Sequence, residues 1–189
     1  PIWGRLGVSE NLPVLSPEEA VEFLLHRTSQ QDKAAATSLA EELGYLPLAL
    51  EQAGAYMEQS SRSLSDYLVL YASRRRDLLK RGKPEGDYPD TVFTTWQISF
   101  DEASKVAGAT ELLSLCAYLA PNAIPLELIR EFSATLPDIL AKVAADELCL
   151  DDAVVALRSY SIVQVEDGEL DVHRLVQEVV RNQLDTADQ

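Results

Sequence analysis

The chain has 189 residues, of which 47% are hydrophobic and 7% aromatic, a composition typical of one or two compact domains. Its formal net charge is −15, and residues 91–189 carry most of it, with 6 Lys and Arg against 17 Asp and Glu. Such a surface repels nucleic acid and anionic lipid. No run approaches the roughly 20 apolar residues of a membrane span, and no signal-peptide pattern opens the chain, so we expect a cytoplasmic protein.

The hydrophobic spacing of residues 16–81 predicts four helices. Ser16 and Glu19 form the sequence pattern of a capping box at the start of the first helix. The second helix is predicted to end at Gly44, because glycine adopts the left-handed conformation that commonly closes a helix. The third begins at Pro47, a favoured first helical residue. Four helices of this length predict a small bundle.

Residues 82–90, GKPEGDYPD, have the glycine, proline and charge content of an exposed linker, and we place a domain boundary there. The segment after the linker is predicted to be helical, with Trp96 as a core residue. Cys116 and Cys149 both lie in apolar, helix-like stretches. We therefore interpret them as small core residues and not as a disulfide or a zinc site.

The C-terminal end of the chain changes character. A helix over residues 150–158 is predicted to be capped by Asp151 or Asp152. Asp167-Gly168 then separates two short β-type runs, the strongest short signal for a hairpin. Helices followed by a hairpin and a last amphipathic helix predict a winged helix. The predicted fold class is therefore mainly α, a small helical bundle followed by a winged-helix domain with one β-hairpin.

Four ordered segments together resemble the C-terminal part of the NB-ARC module of STAND-class signalling ATPases, in particular the members linked to tetratricopeptide repeats. Residues 44–50, GYLPLAL, are similar to the family's GLPLAL motif, and the preceding helix pair opens with LSPEEA at residues 15–20. Residues 96–101, WQISFD, resemble the opening of the family's winged-helix domain, and residues 172–177, VHRLVQ, stand where the family carries its MHD motif.

The resemblance implies a domain order and a role in a larger protein. Residues 1–15 would be the remnant of a nucleotide-binding domain, 16–81 the helical domain, 82–90 the linker and 91–189 the winged-helix domain. Because the chain opens without a methionine, we expect it to be a regulatory fragment of a longer signalling ATPase. The family's parent proteins hold ADP between these domains in a closed state, and exchange for ATP allows oligomerisation. The expected partners are an upstream P-loop domain and a downstream repeat domain.

The resemblance also implies which residues bind the nucleotide. In the family the motif proline packs beside the adenine, which assigns that role to Pro47 with Leu48 next to it, and the motif histidine contacts the diphosphate, which assigns that role to His173. Taken as residues alone, Pro47 is better explained as a helix-initiating proline, and His173 as a structural histidine at a strand end. Arg174 departs from the acidic residue of the family motif, so any contact that depends on that carboxylate is in doubt.

No residues provide catalytic machinery. The chain lacks a GxxxxGK[ST] loop, and no metal ligand set or nucleophile motif is present, so we predict that it is not an enzyme and binds no nucleotide tightly alone. Two other functions stay open. A winged helix can bind DNA, although the negative charge disfavours it. The chain can also be a protein-interaction adaptor, with residues 74–76 either as a basic docking site or as a solvated helix face.

Overall fold

The computed structural model describes residues 14–81 and 90–187. Residues 82–89 of the predicted linker (82–90) and residues 1–13 of the predicted domain remnant (1–15) lie outside the described residues. The first described range contains four helices that pack into a bundle, as the spacing predicts. They are α1 (Pro17–Thr28), α2 (Lys33–Glu42), α3 (Pro47–Ser60) and α4 (Leu64–Arg81).

The local signals at the helix ends act as the sequence predicts. The Ser16 hydroxyl accepts a hydrogen bond from the Glu19 backbone N–H, and the Glu19 carboxylate accepts one from the Ser16 N–H at 2.9 Å. Between α2 and α3, Gly44 and Tyr45 both have positive φ values, 62° and 57°. The chain therefore reverses within a few residues, and Pro47 begins α3 directly after the reversal.

The second described range contains six α-helices and three short strands, with one 3₁₀ turn at Ser133–Thr135. They are α5 (Asp90–Ala103), α6 (Ala109–Cys116), β1 (Ile124–Pro125), α7 (Leu126–Glu131), α8 (Asp138–Ala145), α9 (Glu147–Ser159), β2 (Val163–Glu166), β3 (Glu169–Val172) and α10 (Arg174–Ala187). Asp90, the last residue of the predicted linker, is the first residue of α5. Across the two described ranges, every helix is too short or too polar to cross a membrane.

The strands form one antiparallel sheet in the order β1-β3-β2. Asp167 and Gly168 connect β2 to β3 with positive φ values of 49° and 82°, the conformation of a type I′ hairpin turn. The predicted hairpin is therefore confirmed, and β1 adds a third strand that pairs Ile124 with Leu170. Helices α6 to α9 followed by this hairpin have the arrangement of a winged helix.

Two predictions about the second half are wrong. Helix α9 begins earlier than predicted, and Asp146 caps it by accepting hydrogen bonds from the N–H groups of Leu148 and Cys149. Asp151 and Asp152 consequently lie inside the helix on its exposed side. This shift also places Cys149 on the surface, whereas Cys116 is buried, and burial raises the pKa of the Cys116 thiol to about 12.

Helix α5 connects the two halves of the molecule. Its residues Val92 and Ile98 belong to the hydrophobic cluster of the bundle, whereas Phe93 and Trp96 belong to the cluster of the winged helix. The Thr95 hydroxyl also donates a buried hydrogen bond to the Gln52 side-chain oxygen at 3.0 Å. The winged helix is therefore packed against the bundle along the length of α5.

Candidate functional site

A cleft of about 530 Å³ lies where the helical bundle meets the winged helix. The bundle provides one wall from α1 and α3. The other wall comes from the end of α9, from β2, from the end of β3 with the residue after it, and from the loop before β1. The lining residues are Arg27, Leu48 and Glu51 on the bundle side, and Pro121, Asn122, Arg158, Ser161, Ile162, Val163, Gln164, Val165, Asp171, Val172 and His173 on the winged-helix side.

His173 is the single residue that connects β3 to α10, and it lines this cleft. Its Nδ1 atom accepts a hydrogen bond from the Leu175 N–H at 3.2 Å, so the ring caps the first turn of α10. Because Nδ1 is an acceptor here, the neutral ring carries its proton on Nε2, which stays available as a donor. Partial burial lowers the pKa of His173 below its ordinary value, which favours this neutral form at pH 7.

The structure brings two of the three sequence-predicted site residues together. Leu48 lines the same cleft as His173 and packs against both hydrophobic clusters. Pro47 is exposed as the first residue of α3 and is not among the residues that line the cleft. Pro47 is the neighbour of Leu48 in the chain, and its contact with an adenine stays a prediction.

The carboxylate of Glu51 is already engaged on both sides of the cleft. It accepts a hydrogen bond from the Ser161 hydroxyl at 2.9 Å, and it lies 3.5 Å from the Arg27 guanidinium. Arg27 also pairs with Glu58, two turns further along α3. The bond from Ser161 to Glu51 therefore joins the winged helix directly to the bundle.

The second carboxylate of the cleft is also occupied. Asp171 accepts a hydrogen bond from the Ala123 N–H at 2.7 Å, which holds the loop that leads into β1. The same cleft is lined by Arg158, Asn122 and Gln164, whose side chains carry N–H donors. The winged-helix wall is therefore rich in donors, while both nearby carboxylates have partners.

We expect Ser161→Ala to lower the free energy of unfolding by about 1 kcal/mol, because it removes a hydrogen bond between the two halves. Urea unfolding measures this loss, and Ser159→Ala is the matched control, since Ser159 lies two residues away without a side-chain bond in the described part of the chain. In a double-mutant cycle with Glu51→Ala, the two changes should be non-additive. Additive losses would contradict the bond as a link.

Several lining residues are absent from the sequence-based prediction. The packing of α1, α3 and α9 brings four of them to the cleft, and no short sequence motif indicates them: Arg27, Glu51, Arg158 and Ser161. The basic run at residues 74–76 lies elsewhere. Arg74 pairs with Asp101 at 3.4 Å and Arg75 with Glu42 at 2.8 Å, so these side chains are engaged within the chain.

The comparisons with known proteins suggest a relation to NLR-like proteins. A family model described as a domain of unknown function, DUF7779, matches residues 98–189. A nucleotide-binding leucine-rich repeat (NLR)-like protein of Hyaloscypha variabilis is 30% identical over 165 residues, which cover 80% of this chain. The chain is similar to an NLR-like protein over most of its own length. It spans 15% of the length of that relative.

Proposed function

We propose that this chain is the nucleotide-sensing portion of an NLR-like signalling ATPase of the STAND class, in which the cleft between bundle and winged helix contributes to an ADP site. The observation that carries the proposal is that Leu48 and His173, which lie 125 positions apart in the sequence, line one cleft. Both residues belong to the segments whose resemblance to the family suggested a nucleotide role.

The residues of the cleft fit a nucleoside diphosphate. Its volume of about 530 Å³ lies within the range of roughly 300–1,000 Å³ of small-molecule sites. Leu48 offers an apolar surface for the base, and the free Nε2–H of His173 offers a donor for a phosphate oxygen. The carboxylate of Glu51 is bonded to Ser161 and lies near the Arg27 guanidinium, and the carboxylate of Asp171 is bonded to the Ala123 N–H. Both carboxylates therefore repel an incoming anion less than carboxylates without partners would.

A switch needs a nucleotide that binds one arrangement of the domains better than another. Contacts from Leu48 on the bundle and from His173 on the winged helix bind the same ligand only while the two walls face each other. ADP bound in this way would stabilise the closed, inactive state. An upstream P-loop domain would supply most of the phosphate contacts and the hydrolytic chemistry, and a downstream repeat domain would be a further partner. Homo-oligomerisation would follow opening in the full-length protein.

The outward face of α9 supports a protein contact over a nucleic-acid contact. In a DNA-binding winged helix the helix before the hairpin enters the major groove and needs a basic face. Here that helix exposes Leu148 and Val155 together with Asp151 and Asp152. Duplex DNA binding that is sensitive to salt at micromolar concentration would contradict this view.

The nucleotide role is tested by calorimetric titration of ADP into the full-length protein. We expect His173→Ala to weaken ADP binding by about tenfold or more, because it removes a donor to a charged phosphate. Leu48→Ala should weaken it less. His26→Ala is the matched control, since His26 is exposed on α1 and does not line the cleft.

Two results would count against the proposal. If His173→Ala and His26→Ala bind ADP as the unchanged protein does, the cleft is not the nucleotide site. If the 189-residue chain alone binds ATP tightly in a Mg²⁺-dependent way and turns it over, hydrolysis does not depend on an upstream domain.

A further inference from the structure

One arginine of the cleft has no carboxylate partner. Arg158 lines the winged-helix wall, and none of the carboxylates whose side chains the structure describes forms an ion pair with it. Arg27, Arg75 and Arg130 each pair with a carboxylate. Arg158 is exposed at the mouth of a cleft it shares with His173, in a half of the molecule where acidic residues outnumber basic ones by nearly three to one. Its guanidinium is therefore available to bind an anion that enters the cleft.

The end of α9 explains why Arg158 reaches the cleft. The Ser161 N–H donates to the Arg158 carbonyl at 2.9 Å, and the Ile162 N–H donates to the Leu157 carbonyl at 3.0 Å. Ser161 has a positive φ of 52°, so the chain turns back sharply into β2. This turn brings the end of α9 next to β2, so that Arg158 lines the same wall of the cleft as Gln164 and His173.

We infer that Arg158 is a second anion contact of this cleft, which together with the Nε2–H of His173 binds a pyrophosphate group. A guanidinium presents parallel N–H donors that match two oxygens of a phosphate, and such charge-assisted bonds are stronger than neutral ones. The amide groups of Asn122 and Gln164 offer further donors on the same wall. The binding of a pyrophosphate group does not depend on the proposed function. Only the identification of that group as part of a nucleotide rests on it.

A purely structural role for Arg158 makes a different prediction. Arg158 lies in the last turn of α9, where a cation interacts favourably with the C-terminal carbonyl groups of a helix. If that is its role, Arg158→Ala lowers thermal stability and leaves anion binding unchanged. Binding and melting temperature must therefore be measured on the same variants.

The test titrates inorganic pyrophosphate into the ¹⁵N-labelled 189-residue chain at constant ionic strength and follows the backbone amide shifts by NMR. We expect saturable shifts at residues 158–164 and 173–175. Arg158→Ala should raise the dissociation constant by about tenfold or more, and Arg158→Lys by less, because lysine keeps the charge without the planar fork. Arg174→Ala is the matched control, since Arg174 is exposed beside His173 and does not line the cleft.

The outcomes separate this inference from the proposed function. It is overturned if pyrophosphate gives no saturable shifts at these residues, or if Arg158→Ala and Arg174→Ala change the dissociation constant equally. If pyrophosphate binding depends on Arg158 while ADP binding to the full-length protein is insensitive to His173→Ala, the anion site stands and the nucleotide role fails. If ADP binding depends on His173 and the loss of Arg158 alters neither ligand, the nucleotide role stands and this inference fails.

Discussion

Trp96→Ala is expected to lower the free energy of unfolding by about 3–5 kcal/mol, because it removes the largest fully buried side chain, which lies in the core of the winged helix. Trp96 is fully buried, and its ring stacks on Phe100 with centroids 4.8 Å apart and lies 6.3 Å from Phe93. The cavity would open in α5, whose other face packs in the bundle, so both halves should lose stability together. Urea unfolding followed by far-ultraviolet circular dichroism measures the loss without relying on the removed fluorophore.

Trp96→Phe and Val69→Ala are the controls for this prediction. The indole N–H of Trp96 has no hydrogen-bond partner in the described part of the chain, so phenylalanine removes an unbonded polar group and should cost much less than alanine. Val69 is 71% exposed on α4, and its replacement should change stability by less than about 0.5 kcal/mol. A loss below about 1 kcal/mol for Trp96→Ala would mean that Trp96 does not pack in the core of the winged helix as described.

The elements of this fold that the sequence predicts are those whose signals are local. The capping box of Ser16 and Glu19 acts within one turn, and Asp167-Gly168 needs only its own backbone to form the hairpin. Strand β1 has two residues and exists because β3 lies beside it, so no pattern in the sequence could indicate it. The cap of α9 differs from the prediction for another reason, because three aspartates near its start, Asp146, Asp151 and Asp152, are all suitable capping residues.

The candidate site divides in the same way. Leu48 and His173 were predicted because they stand in recognisable segments of sequence, and the structure adds that they line one cleft. Arg158 could not be found from the sequence, because an arginine near the end of a helix is ordinary and its importance depends on the absence of a partner. Whether Arg158 has a carboxylate partner depends on how the helices pack. In the folded protein the carboxylate of Glu51, which lines the same cleft, is bonded to Ser161 instead.

Gly108→Ala should be the second strongly destabilising change, with an expected loss of about 2–4 kcal/mol. Gly108 precedes α6 with a φ of 82°, a conformation that costs an L-residue energy. A Cβ atom there would also lie 2.6 Å from Cγ2 and 2.7 Å from Cγ1 of the buried Val143, closer than nonbonded carbon atoms approach. The backbone cost and the collision with α8 should therefore add.

Gly168→Ala separates these two contributions. Gly168 has the same φ of 82°, but nothing lies within 4 Å of the place where its Cβ would be, so its replacement carries the backbone cost alone. We expect Gly108→Ala to exceed Gly168→Ala by about 1–3 kcal/mol in urea unfolding, the usual cost of overpacking a core. Combining Gly108→Ala with Val143→Ala removes the methyl groups that collide, so the double variant should be more stable than the sum of the single losses predicts. Equal losses at the two glycines, together with strict additivity in the double variant, would show that α8 does not pack against the start of α6 as described.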